Sequence, residues 1–126
     1  MSTGAGSGWR SYQVDGFEII VGRGARDNDA LTFGAAEPHD LWLHAAAFAG
    51  SHVIVRNPER LAALPRAVVV RAAELAAWHS KAQGAGGKVE VHVCRAADVS
   101  KPRGAPPGQV RIRNFEAVRV YPRPGD

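Results

Sequence analysis

Two neighbouring segments carry the side chains best suited to nucleotide chemistry, residues 40–44 (DLWLH) and residues 52–56 (HVIVR). Strand-like alternation puts Asp40, Trp42 and His44 on one face of the first segment. It puts His52, Ile54 and Arg56 on one face of the second. With Leu41, Leu43, Val53 and Val55 as the core set, the opposite face gathers Trp42, His44, His52 and Arg56, and Ser51 stands beside them. Aromatic rings stack on bases, at about 1–3 kcal/mol per base, and a guanidinium pairs with phosphate. The competing assignment makes Trp42 a core residue and both histidines structural groups.

Two other segments offer cations. The loop over residues 100–108 (SKPRGAPPG) holds Lys101 and Arg103 between prolines that limit its freedom and glycines that let a ligand approach the backbone. Beyond it, Arg111, Arg113 and Arg119 alternate with Val110, Ile112, Val118 and Val120. That pattern would build a basic stripe binding polyanions through counterion release, or an ordinary solvated sheet face. Arg23 and Arg26 lie in GRGARD, which lacks the third glycine and long βαβ unit of a dinucleotide fingerprint. It reads as a tight turn whose arginines assist anion binding.

Catalytic and metal sites are less well supported. His39 and Asp40 point to opposite faces, so only Asp40, His44 and His52 could converge. Ser51 has no nucleophile-elbow context, and Cys94 has no activating neighbour and suits a buried thiol. No catalytic residue, metal site or cofactor is therefore expected. An enzyme or enzyme subunit of tRNA modification using His44, His52 and Asp40 is the alternative.

The elements that must position these residues follow from the rest of the chain. A length of 126 residues, 45% hydrophobic and 22% charged, suits one globular domain. No apolar run approaches the ~18 residues of a membrane span. A lone cysteine excludes an internal disulfide and fits a cytoplasmic protein. Residues 1–14 are expected to be a flexible tail and residues 15–126 the domain. Net charge runs from −3 over residues 1–40 to +3 over 41–100 and +4 over 101–126, an asymmetry that suits a polyanionic partner.

Strands are expected at residues 17–21, 40–44, 52–56 and 88–94, with residues 110–113 and 117–121 as a final hairpin. In the strand at 88–94, Val89, Val91 and Val93 face one way and Glu90, His92 and Cys94 the other. Residues 27–33 read as one or two helical turns. Pro65 opens a long helix over residues 66–83. The sum is an α+β fold, a mixed and mostly antiparallel sheet of five or six short strands packed by one long helix.

The blocks VGRGARDNDALTF, DLWLHAAAFAGSHVIV, AAELAAWHSKA and KPRGAPPGQVRIRN, in that order, resemble the NFACT-R domain. That domain closes the larger ribosome quality-control proteins of the fibronectin-binding-protein-A-like group. The resemblance spans residues 16–122, and the chain resembles the stand-alone bacterial versions. It implies an α+β RNA-binding module, with tRNA, rRNA or the ribosome as partner, acting in translation quality control or RNA metabolism. Positions matching the family blocks are Gly22, Arg23, Asn28, Asp29, Asp40, Trp42, His44, Gly50, Ser51, His52, Lys101, Pro102 and Gly108. The chain departs from the usual pattern at Ala49, Ser100, Pro106 and Arg111. The residues expected to meet RNA are Arg23, Trp42, His44, Ser51, His52, Arg56, Lys101, Arg103, Arg111 and Arg113.

Overall fold

The computed structural model describes residues 9–125. Its main sheet has six strands: β1 (Arg10–Val14), β2 (Phe17–Val21), β3 (Leu41–Ala45), β4 (Val53–Val55), β5 (Val89–Arg95) and β8 (Glu116–Val120). Their spatial order is β1-β2-β4-β3-β5-β8, and every pairing is antiparallel. β6 (Val99–Ser100) and β7 (Arg111–Ile112) form a separate two-stranded ribbon. The α+β class is as expected. The long helix α2 (Arg66–Trp78) is joined by a short helix α1 (Ala25–Asp29), which runs on into a π-helical turn at Ala30–Ala35.

Part of the expected tail is a strand. Residues 1–8 lie outside the described residues, but Arg10–Val14 pairs along its whole length with β2. Asp15 and Gly16 make the two-residue turn, with φ of 50° and 85°. Positive φ at both positions matches the twist of the flanking strands. Tyr12 and Val14 bury their inner sides against the core, which ties down the second half of the expected tail.

The sheet is covered on both faces. On one, α2 lays Val68, Ala72, Leu75 and Ala76 against Ile19, Val21, Leu43, Val53, Val91 and Val118. On the other, α1, the π turn and the β6–β7 ribbon bury Ile20, Leu31, Trp42, Ile54, Cys94 and Val99. Double coverage explains the consecutive apolar residues Ile19, Ile20 and Val21 of β2 and Val53–Val55 of β4, since a strand buried on both sides needs no polar alternation.

Two expected elements differ. The α2 helix ends at Trp78, short of residue 83, because the β3–β4 loop captures the following chain. Ser51 N donates to the His79 carbonyl at 2.9 Å, and Lys81 N to the Ala49 carbonyl at 2.8 Å. Ser80 Oγ also donates to the Ala77 carbonyl at 2.7 Å, closing the last turn. The final hairpin does not form. β7 pairs with β6, and β8 pairs with β5. Asp98 draws β7 away, because its Oδ1 accepts from Arg113 Nε at 3.1 Å and from Asn114 Nδ2 at 3.2 Å.

Candidate nucleic-acid interface

The two-sided burial of the sheet decides where the chemistry-bearing side chains go. Trp42 is only 2% exposed, so it belongs to the second core and is not the surface stacking platform expected of it. His44, two residues on, leaves that core half-buried. Its ring lies over Trp42 at 5.8 Å between centroids, with an interplanar angle of 20°. His52 is buried and meets both rings edge-on, at 5.1 Å from Trp42 and 5.5 Å from His44. The expected cluster exists, with Trp42 and His52 as its sealed base and His44 as its reachable part.

His52 is held from three sides. Asn28 Oδ1 accepts its backbone N–H at 3.0 Å, and Thr32 Oγ1 lies 2.8 Å from its Nδ1. The Gly108 backbone takes a further hydrogen bond from the ring. A neutral imidazole offers one donor and one acceptor, which fits a carbonyl and a hydroxyl. Burial first, then the neighbouring His44, lowers the His52 pKa from 6.5 to about 4. The same two causes, burial and then His92, lower that of His44, against a smaller opposing hydrogen bond with the Gly50 backbone. Near neutral pH these rings are uncharged, able to donate and accept hydrogen bonds but not to act as cations.

Around His44 opens a groove of about 930 Å³. Trp42, His44 and His92 contribute to it from the sheet, where His92 faces His44 across the β3–β5 pairing. One wall combines the β3–β4 loop with Trp78, His79, Ser80 and Lys81 at the end of α2. The other combines Arg23, Gly24 and Asn28 with Pro107, Gly108 and Gln109 of the long loop. No aspartate or glutamate is among the described lining residues, and Arg23 and Lys81 are exposed. Two buried polar atoms in the lining residues, Trp42 Nε1 and His79 Nε2, have no hydrogen-bond partner.

Of the expected contacts, Arg23, Trp42, His44, Ser51 and His52 line this groove, and Arg56, Lys101, Arg103, Arg111 and Arg113 do not. Arg56 is a structural clamp, donating to the Ala35 carbonyl at 2.7 Å and to Asp40 Oδ2 at 3.2 Å. Asp40 is buried, and it also accepts from the backbone N–H groups of Glu37 and Asn57. Its carboxylate is thereby committed away from the histidines. Lys101 Nζ lies 3.0 Å from Asp29 Oδ2 and also donates to the Pro106 and Gln109 carbonyls. Arg113 pairs with Asp98, whereas Arg103 and Arg111 are exposed. Among the described residues no group of three or more His, Cys, Asp or Glu is placed to hold a metal. Burial pushes the Cys94 thiol up to about 12.

Sequence reasoning passed over Asn28, Trp78, His79, Lys81 and His92 as site residues. His92 was legible, because its alternation already placed it opposite the valine face of β5. The residues after α2 were not, because only the isolated bridge between Gly50 and Ser80 brings that helix end to the β3–β4 loop.

Fold and groove together define a small α+β ligand-binding domain. The chain belongs to the NFACT RNA-binding domain family: residues 9–114 match the family described as "NFACT protein RNA binding domain". It is 36% identical over 109 residues to "Rqc2 homolog RqcH" of Bacillus subtilis, covering 86% of this chain and 18% of that protein. It is 39% identical over 117 residues to the protein of the same name from Streptococcus suis, covering 90% and 20%. The chain thus spans about a fifth of the length of these relatives. A solved structure, the C-terminal part of the fibronectin/fibrinogen-binding protein from Streptococcus suis, superposes with a TM-score of 0.83 at 37% identity, covering 92% of this chain and 45% of that one. No described helix is long and apolar enough to cross a membrane.

Proposed function

We propose that this chain binds RNA through the His44 groove and serves translation quality control, with tRNA, rRNA or the ribosome as its partner. The observation that carries the reading is a concave site with no carboxylate among its described lining residues, edged by Arg23 and Lys81 and containing imidazole and indole rings. A polyanion meets no repulsion from those residues, and uncharged rings suit bases. Membership of an RNA-binding family and likeness to RqcH proteins support the same reading. Arg103 and Arg111, exposed on the long loop and the β6–β7 ribbon, extend the positive surface beyond the groove.

The test is binding of the purified chain to tRNA and to rRNA fragments, followed by fluorescence anisotropy across a salt series. Affinity falls as salt rises, and the double variant Arg23→Ala/Lys81→Ala binds at least tenfold more weakly at fixed salt. Unchanged affinity in that variant would remove the groove from the reading.

A further inference from the structure

Resting on the RNA-binding reading, we propose that the groove takes an unpaired nucleotide of single-stranded RNA, its base entering edge-first beside His44 and its phosphates lying along Arg23 and Lys81. Depth is the first argument. The rings beneath the groove are recessed, Trp42 at 2% exposure and His52 at 1%, and His44 is the half-buried ring lying over them. Bases stacked and paired in a helix cannot bring their edges into such a recess. Double-stranded RNA is instead gripped by its phosphates and 2′-hydroxyls over about 16 base pairs. A base in an unpaired segment can leave the stack and enter.

Hydrogen bonding is the second argument. One His44 ring nitrogen is occupied by the Gly50 backbone, leaving the other nitrogen of the neutral ring as an acceptor. Trp42 Nε1 and His79 Nε2 are buried polar atoms of lining residues with no partner in the protein. Buried polar groups are nearly always satisfied, and a base edge presents the donors and acceptors that these atoms lack. Charge is the third. Two exposed cations suit the phosphates on either side of one inserted nucleotide and are too few to follow a duplex backbone. Outside the groove lining, Phe115 is 47% exposed with its ring centroid 4.4 Å from that of His92, a platform for the next base.

The experiment titrates the full chain against three RNAs: a single-stranded octamer, the same sequence as a blunt duplex, and intact tRNA. The octamer binds at least tenfold more tightly than the duplex. Neutralising about two phosphates on a single strand gives a log–log salt slope of about −1.4, which falls to about −0.7 in Lys81→Ala. That residue is exposed, so its replacement reads binding and not folding. Duplex binding as tight as octamer binding, or a slope unchanged in Lys81→Ala, overturns the single-strand assignment and leaves RNA recognition standing. Failure to bind all three RNAs overturns both.

Discussion

His52 ties three separate segments together: α1 through Asn28, the π turn through Thr32 and the long loop through Gly108. The Asn28 tie runs through the His52 backbone N–H, and the Thr32 and Gly108 ties run through the uncharged ring. Because the folded state lowers its pKa from 6.5 to about 4, the folded protein binds fewer protons than the unfolded chain between those values. Stability is therefore full above pH 6.5 and declines as the pH falls toward 4, by about 3 kcal/mol for this residue alone. Thermal melts from pH 7.5 to 4.5 should show that decline, and His52→Gln should flatten it while lowering the melting temperature at pH 7. A melt equally acid-sensitive in His52→Gln would assign the effect to other groups. The burial that sets this pKa also keeps Cys94 from solvent, so its thiol offers no surface to a ligand unless the second core opens.

The loop of residues 101–109 is fastened to α1 through the carboxylate of Asp29. Asp29 Oδ1 accepts from Gly108 N at 3.0 Å and from Lys101 Nζ at 3.2 Å, pinning the loop to α1. Gly108 has a φ of 87°, and a Cβ there would stand 3.2 Å from that of Ala25, so glycine suits the close approach. Lys101 thus acts as a staple, although its type and its loop both suggested a phosphate contact. Its ammonium is partly exposed, so the ion pair itself contributes at most about 1 kcal/mol. Lys101→Met should leave the melting temperature within a few degrees and speed hydrogen exchange at Gly108 and Gln109. RNA affinity should fall with no change in salt slope. A slope reduced as it would be by losing a phosphate contact would restore the simpler role.

The groove exists because the β3–β4 loop, the end of α2 and the long loop meet at one edge of a doubly covered sheet. Gly50 sets the spacing at that meeting. A Cβ there would lie 2.6 Å from Ser80 Cβ and 2.9 Å from Ser80 Cα, so the loop and the helix end must separate. Gly50→Ala should cost about 1–3 kcal/mol of stability, the cost of overpacking a tight contact. It should also weaken RNA binding more than its modest destabilisation accounts for, as read by parallel chemical denaturation and anisotropy. Equal affinity at full folding would show that the junction does not shape the site.

By itself the sequence determined the alternating β5, the body of α2 and the local neighbourhood of Trp42, His44 and His52. Those rest on periodicity and short separation along the chain. Tertiary structure alone decided that Trp42 and His52 lie under a second layer, that β7 leaves β8 for β6, and that Arg56 and Lys101 are tied to carboxylates. It also brought Lys81 and His79 to the groove from beyond a helix. The physical reason is that period-two alternation assigns a side chain to a face of the sheet. Whether that face meets water depends on segments far away in sequence, here the π turn and the β6–β7 ribbon, which pack over it.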